Sequence, residues 1–175
     1  MSRITVKAGA DFLTGLAHAK PVAALSELIW NGFDAKSKRV EVEIKTEPTF
    51  SGVEAVLIKD YGTGIDHDKV VDYFGNLGES WKKIEKSNGD RSLHGQFGRG
   101  RFKSLSLGEQ VHWKTVFQKN GLKYKYTIST DANKINDFII SEPQLVDNEE
   151  VGTLVEIYNV SNAAELLLTE DALSD

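Results

Sequence analysis

The stretch Val22 to Lys36, which reads VAALSELIWNGFDAK, decides how the rest of the chain is interpreted. Its large apolar residues recur at the three- and four-residue spacing of an α-helix; they are Leu25, Leu28, Ile29 and Phe33. Pro21 stands just before the stretch, where a first-turn proline is tolerated because its missing N–H would have no helical partner. The pattern therefore predicts a helix that begins near Pro21.

The polar side of this predicted helix carries one amide and two carboxylates. Glu27 and Asn31 are four residues apart and Asp34 follows three residues later, so the three side chains project from one face. Taken alone, they fit a solvated amphipathic face. They also fit the wall of a polar cleft, and although these residues alone favour the solvated face, the sequence that follows favours the cleft.

The composition limits the classes of protein that the chain belongs to. With 175 residues, 40% hydrophobic and 27% charged, we expect one globular domain with a substantial core. A net charge of -5 argues against sequence-independent binding to a nucleic-acid backbone, although a small basic site remains open. The sequence has no cysteine, which excludes disulfides and thiolate metal sites. We find no signal peptide and no membrane-spanning apolar run, so we expect a soluble, cytoplasmic protein without a membrane partner.

Short alternating segments predict a sheet on both sides of the polar helix. Ser2 to Lys7 alternates weakly and predicts an edge strand, and Asp11 to His18 predicts a short helix. Val40 to Lys45 alternates as a half-buried strand does, and the more apolar Val53 to Lys59 predicts a central strand that forms a hairpin with it.

An acidic residue followed by two glycines comes directly after the second of these strands. The segment Asp60 to Ile65 reads DYGTGI, and its glycines, Gly62 and Gly64, allow another group to approach the backbone closely. Asp66 is typical of an N-cap and predicts a helix from about His67 to Phe74. Gly75 to Gln96 is polar and has no clear period, which favours a lid or binding loop.

A second glycine-rich segment, Gly95 to Leu105, reads GQFGRGRFKSL. Gly98 and Gly100 precede a predicted short helix from Arg101 to Leu107, ended by Gly108. Free N–H groups at such a start, together with the Lys103 ammonium, form an anion site. A glycine-rich turn that binds nothing is the alternative for this segment alone.

The last third of the sequence predicts strands and a tail. The strands run from Glu109 to Gln118, Lys123 to Thr130, Asp137 to Ser141 and Gly152 to Tyr158, with Asn120-Gly121 as a hairpin turn between the first two. In the last strand, Leu154, Glu156 and Tyr158 share one face, and Thr153, Val155 and Ile157 share the other. Ala163 to Leu168 predicts a short helix in the tail.

Four motifs, taken together and in order, resemble a known family. They are ELIWNGFDA (Glu27 to Ala35), DYGTGI (Asp60 to Ile65), GQFGRGRFKS (Gly95 to Ser104) and GTLVEI (Gly152 to Ile157). They resemble the ATP-binding domain of the GHKL superfamily (the Bergerat fold), which includes gyrase B subunits, ninety-kilodalton heat-shock chaperones, sensor histidine kinases and MutL. The resemblance covers about Ala10 to Tyr158. It implies an α/β two-layer sandwich, in which helices cover one face of a mixed, mostly antiparallel sheet, with an ATP lid.

Four features relate the chain to branches of this superfamily. Sensor kinases usually carry Asn at the position of Glu27, so the glutamate favours the ATP-hydrolysing branch. The GQFGRG opening is most similar to the chaperones and the MORC ATPases. Asn76 is similar to the chaperones' lid entrance, and Lys82 to a lid lysine, whereas the middle of the lid does not match well.

The resemblance also implies roles for individual residues. Glu27 would orient and deprotonate the attacking water, Asn31 would bind Mg²⁺, and Asp34 would support them. Asp60 would accept a hydrogen bond from the adenine amino group, where guanine presents an acceptor instead. Thr153 would reach Asp60 and the base. The other implied nucleotide contacts are Gly62, Gly64, Ile65, Asn76, Lys82, Gly98, Gly100, Arg101, Phe102 and Lys103.

The sequence therefore predicts Mg²⁺-dependent ATP binding and slow hydrolysis, with ATP and ADP as ligands. The resemblance implies a nucleotide-dependent homodimer, to which Ser2 to Lys7 contributes, as part of a larger protein with downstream domains or a client. Residues 1–160 would be the ATP-binding domain, and residues 161–175 a tail or the start of a linker. A nucleotide-gated interaction module without turnover and a protein kinase of the same superfamily are the alternatives.

Overall fold

The computed structural model describes residues 1–6, 15, 19–46, 52–75 and 100–165 of the chain. Within these ranges the strands are β1 (Ser2–Thr5), β2 (Val40–Thr46), β3 (Val53–Asp60), β4 (Gly108–Lys119), β5 (Leu122–Asp131), β6 (Asp137–Ile140), β7 (Gln144–Val146) and β8 (Gly152–Val160). The α-helices are α1 (Pro21–Asp34), α2 (Val70–Gly75), α3 (Gly100–Lys103) and α4 (Asn162–Glu165). One-turn 3₁₀ segments are found at His67–Lys69, Ser104–Ser106 and Ala132–Lys134.

The strands form a single sheet in the order β1-β6-β5-β4-β8-β3-β2, and β7 pairs with β5. Each strand pairing in the described part of the chain is antiparallel, so the parallel component of a mixed sheet does not occur there. The predicted edge position of β1 is confirmed, as is the hairpin of β2 and β3. The last strand, β8, lies between β3 and β4, away from its neighbour in sequence, β7.

The core lies between the helices and one face of the sheet. Thr153, Val155 and Ile157, which the sequence placed together on one face of β8, lie on its helix-facing side. The helices contribute Leu28 of α1, Phe74 of α2 and Phe102 of α3 to the core. The strands contribute alternate residues from their helix-facing side, among them Ile58, Trp113, Ile128, Phe138 and Ile157. The predicted two-layer α/β sandwich is confirmed.

Local sequence signals explain most of the element boundaries. The side chain of Asp66 accepts a hydrogen bond from the backbone N–H of Asp68, at 3.0 Å, and caps the helical segment that follows. Asn120 and Gly121 have positive φ angles of 52° and 81°, as the tight turn between β4 and β5 requires. Gly108 begins β4 instead of ending a helix, because the preceding 3₁₀ turn stops at Ser106.

Some predictions are not matched by a described element. Conversely, the sequence did not predict the short strand β7, which carries an exposed Leu145 and shows no clear alternation. The predicted helix from Asp11 to His18 lies outside the described residues except for Gly15, and so does the predicted lid beyond Gly75. None of the helices described is long and apolar enough to cross a membrane.

Candidate functional site

A cavity of about 390 Å³ opens between α1, the loop after β3, and the ends of β4 and β8. Its volume is in the range of small-molecule sites. It is lined by several of the residues singled out in the sequence, namely Asn31, Asp34, Asp60, Gly64, Ile65, Arg101 and Thr153. Of the three polar residues of α1, Asn31 and Asp34 therefore line a cleft and Glu27 does not.

Asp60 is the best-defined polar group of the cavity. Its Oδ1 accepts hydrogen bonds from the backbone N–H of Gly62 at 2.8 Å and of Thr153 at 3.3 Å. Burial raises the pKa of the Asp60 carboxyl to about 6, although the two N–H groups act in the opposite direction. Near neutral pH the carboxylate is thus ionised at an energetic cost.

Two threonines continue this network across the sheet. The hydroxyl of Thr153 lies 3.2 Å from that of Thr115, so Thr153 reaches Asp60 through its backbone and not through its side chain. Thr115 Oγ1 also accepts a hydrogen bond from the N–H of Ile65 at 2.9 Å. Thr115 therefore ties the loop after β3 to the middle of the sheet.

Gly32 allows α1 to approach the end of β3. A Cβ atom added at Gly32 would lie 2.7 Å from Cγ2 of Val40 and 2.9 Å from Cβ of Asp60. Contacts this short essentially never occur, so a side chain at Gly32 would push the helix away from Asp60. A glycine inside a helix costs stability. Here the close approach of α1 to β3 explains why a glycine is present.

The two glycines of DYGTGI face the protein's own backbone. A Cβ atom at Gly62 would lie 2.3 Å from the carbonyl oxygen of Ala35, and one at Gly64 would lie 2.1 Å from that of Val116. Gly64 also has a positive φ of 68°. The glycines thus press the loop against the end of α1 and against β4, which fixes the position of Asp60.

Glu27 and Lys103 form an ion pair close to the cavity. Lys103 Nζ lies 3.2 Å from Glu27 Oε2, and both side chains are partly exposed, Lys103 at 29% and Glu27 at 19% of their surfaces. Neither residue lines the cavity itself, whereas Asn31, one helical turn after Glu27, does. The pair therefore lies beyond the Asn31 end of the cavity.

The residues before Lys103 combine a core anchor with a cavity cation. Phe102 is fully buried in the core, and the guanidinium of Arg101 lies 4.6 Å from the centre of its ring. Burial lowers the pKa of Arg101 to about 10, so the guanidinium remains positive at neutral pH. Arg101 thus supplies a buried cation to the wall of the cavity.

Sequence reasoning did not identify several residues of this site. Lys36 and Lys69 line the cavity but belong to none of the four motifs. Lys36 directly follows the first motif and Lys69 lies four residues after the second, and this proximity is the signal that would have pointed to them. Thr115 and Gly32 become recognisable only when strand register and helix packing are known.

Three predicted nucleotide contacts, Asn76, Lys82 and Gly98, lie outside the described residues, and Gly100 is the first residue of α3. Among the residues that the structure does describe, no cluster of three or more His, Cys, Asp or Glu side chains is suited to a metal ion. A metal at this site would therefore depend on few protein ligands.

The cavity as a whole suits a flat, apolar ligand with a polar edge. Leu28, Phe74, Trp113 and Phe117 give it apolar walls, and Asp60 places a hydrogen-bond acceptor among them. Arg101, Lys36 and Lys69 add positive charges to a lining that also contains three carboxylates, those of Asp34, Asp60 and Asp66. Such a combination accommodates an aromatic base that carries an amino group and is attached to an anionic group.

Comparison with known proteins agrees with this geometry. Residues 19–155 match the family described as histidine kinase-, DNA gyrase B-, and HSP90-like ATPase. A chaperone protein HtpG of Borreliella burgdorferi is 29% identical over 154 residues, which cover 77% of this chain and 23% of the relative. The chain thus spans about a quarter of the length of that relative.

Proposed function

The chain belongs to the family of histidine kinase-, DNA gyrase B- and HSP90-like ATPases, and we propose that it binds ATP with Mg²⁺ and hydrolyses it slowly. The observation that supports this most directly is the buried Asp60 carboxylate in the cavity wall, with its pKa raised to about 6. Retaining such a group costs stability, as expected of a residue kept for binding.

Asp60 gives the site its preference for adenine. One carboxylate oxygen is already occupied by the N–H groups of Gly62 and Thr153. The carboxylate has further acceptor capacity, since two oxygens offer about four lone-pair positions. An amino group at the edge of adenine donates to this acceptor, whereas the carbonyl of guanine at that position is repelled by it.

The metal would be held by the side-chain amide of Asn31, which lines the cavity. Mg²⁺ usually binds one or two protein oxygens together with phosphate oxygens and water, so the donor set here fits it. When bound, Mg²⁺ neutralises charge on the phosphate groups. Asp34, three residues later on the same face, supports this region of the helix.

Glu27 acts as the general base for hydrolysis. Its carboxylate takes a proton from a water molecule whose oxygen forms a bond to the terminal phosphorus, while the bond from that phosphorus to the ADP oxygen breaks. We assign slow turnover because the predicted site lacks an obvious positive finger for the transition state.

The second glycine-rich segment holds the phosphate groups. Gly98 and Gly100 contribute backbone N–H groups there, and Arg101 and Lys103 contribute positive charge. Phe102 contributes its backbone N–H, while its side chain anchors the segment in the core. Asn76 and Lys82 complete the phosphate side from the predicted lid.

The wider context of this ATP site follows the relatives. We propose that residues 1–160 are the ATP-binding domain of a larger cytoplasmic protein, and that ATP binding closes the lid and brings two copies together. Ser2 to Lys7 would cross to the second copy, and residues 161–175 would be a tail or lead to a further domain. Downstream domains or a client protein are the proposed further partners.

Calorimetric titration of the protein with ATP, ADP and GTP, each with Mg²⁺, tests the binding proposal. We expect ATP and ADP to bind and GTP to bind at least about 100-fold more weakly, because its base carries an acceptor opposite Asp60. Failure of both adenine nucleotides to bind folded protein would overturn the proposal. Equal affinity for ATP and GTP would overturn the role of Asp60.

Replacement of Glu27 separates turnover from binding. Glu27→Ala is expected to lower the hydrolysis rate at least about 100-fold while ATP still binds, because only proton transfer is lost. Glu43→Ala, which removes an exposed carboxylate from β2, is the matched control and should hydrolyse ATP normally. Unchanged turnover in Glu27→Ala would exclude Glu27 as the base.

Binding and hydrolysis measurements, together with an assay of phosphate transfer, distinguish the two alternative functions. A nucleotide-gated interaction module would bind ATP and show no turnover in the unmodified protein. A protein kinase would transfer radiolabelled phosphate from ATP to a protein. The glutamate at position 27 favours hydrolysis, because sensor kinases of this superfamily usually carry Asn there.

A further inference from the structure

The ion pair between Glu27 and Lys103 joins two segments that the core holds in place. Leu28, next to Glu27, is 4% exposed, and Phe102, next to Lys103, is fully buried. The hydroxyl of Ser106 donates to the carbonyl of Lys103 at 2.7 Å, which further fixes that backbone. A change of partner by either side chain would therefore need only a rotamer change.

The pair joins a carboxylate proposed as a base to the ammonium group of Lys103. The 3.2 Å contact between Lys103 Nζ and Glu27 Oε2 directs the carboxylate towards the lysine. An attacking water needs a lone pair of the same carboxylate within hydrogen-bond reach. The contact therefore takes up Oε2 of Glu27 and holds the carboxylate towards Lys103 instead of towards a water molecule.

We propose that Lys103 is a positioning residue that changes partner when ATP binds. It holds Glu27 in the nucleotide-free protein and moves to the terminal phosphate of bound ATP, which leaves the Glu27 carboxylate for water. The inference rests on the proposed ATPase function. ADP has no terminal phosphate at this place, so the ion pair remains when ADP is bound.

Electrostatics favours this exchange. The terminal phosphate carries more negative charge than a carboxylate and offers three acceptor oxygens, so it competes well for one ammonium. The ion pair that is given up is partly exposed, and such pairs are weak. Lys103 therefore senses the terminal phosphate and thereby couples its arrival to the release of the base.

Two substitutions at Lys103 and one control test the proposal in the full 175-residue chain. Lys103→Met removes the charge and keeps most of the stem, and Lys103→Arg keeps the charge. Lys45→Met, at an exposed position in β2, is the control. Affinities for ATP and ADP with Mg²⁺ are measured by calorimetry at one fixed salt concentration.

We expect Lys103→Met to lower ATP affinity about tenfold and to leave ADP affinity within about twofold of normal, because one charge-assisted hydrogen bond is lost only with ATP. Lys103→Arg should retain most of the ratio of ATP to ADP affinity. A merely structural role would lower the two affinities together, and that result would overturn the proposal, as would an unchanged ratio.

Glu27→Gln provides a second measurement. In the otherwise unchanged protein it frees Lys103, so ATP affinity should rise about threefold, the size expected from a partly exposed ion pair. In the Lys103→Met background the gain should be clearly smaller. An equal gain in both backgrounds would overturn the partner change alone. Failure of the unmodified protein to bind ATP would overturn the ATPase function as well.

Discussion

Two sets of residues across the same three strands, β3, β8 and β4, differ in chemistry although their backbone pairing is alike. We call Asp60, Thr153 and Thr115 the polar row, since they lie opposite one another in register. Four residues along the strands, Val56, Ile157 and Val111 form the apolar row. Both rows lie on the helix-facing side of the sheet.

The two rows are buried to similar extents by different interactions. Each residue of the apolar row is at most 1% exposed and packs in the core. Thr115 and Thr153 are 1% and 6% exposed but join a hydrogen-bond network that includes Asp60. The site is therefore an extension of the core sheet in which polar side chains replace one row of apolar side chains.

The largest expected effect is in the apolar row. Ile157→Ala should lower the free energy of unfolding by about 4 kcal/mol, because it removes buried methylene groups and leaves a cavity. Urea denaturation measures this loss. ATP affinity of the remaining folded protein should change little, and a loss of stability below about 1 kcal/mol would contradict the central place of Ile157 in the core.

In the polar row, we expect a substitution of Asp60 to raise the free energy of unfolding, by less than Ile157→Ala lowers it. Between the ordinary aspartate pKa of 3.8 and the raised pKa of about 6, the native state keeps the proton on Asp60 that the unfolded chain has released. The free energy of unfolding therefore falls as the pH rises through this window. Asp60→Asn lacks this titration, so near neutral pH it should be the more stable protein, by up to about 3 kcal/mol.

Urea denaturation of the unmodified protein and of Asp60→Asn, at several pH values between 4 and 7, checks this difference. The asparagine oxygen still accepts from Gly62 and Thr153, so the native hydrogen bonds remain possible. Nucleotide affinity of the variant should fall, because an amide is a weaker acceptor than a carboxylate. Parallel stability curves for the two proteins would show that burial does not raise the pKa of Asp60.

The smallest effect is expected at Thr115. Thr115→Val keeps the shape of the side chain but leaves the N–H of Ile65 without its acceptor, which should cost about 1 to 2 kcal/mol. Native-state hydrogen exchange should show faster exchange of the Ile65 amide in particular. Unchanged exchange at Ile65 would mean that the loop after β3 does not depend on the polar row.

The sequence was sufficient where the signal is local. Alternation along β8 predicted that Thr153, Val155 and Ile157 share one face, and the spacing of apolar residues predicted α1. The position of Asp60 at the end of a strand, before two glycines, predicted the loop after β3, and the binding role of that loop stays a prediction. Each of these depends on residues within a few positions of one another.

The sequence was insufficient where distant residues meet. The polar row needs the register between β4 and β8, which separates Thr115 from Thr153 by 38 positions. The contact between Lys103 and Glu27 spans 76 positions. Lys103 was identified as a phosphate contact, but its present partner depends on how α3 packs against α1, and local patterns contain no information about this.

The position of β8 between β3 and β4 has a consequence for how the protein folds. The N–H of Thr153 reaches Asp60 from 93 residues further along the chain, and among the described strands β8 is what joins the β2-β3 hairpin to the rest of the sheet. Sheets that rely on such distant pairings fold slowly. We therefore expect that a nascent chain without β8 does not bind nucleotide. The binding site should form in a single late step, when β8 enters the sheet.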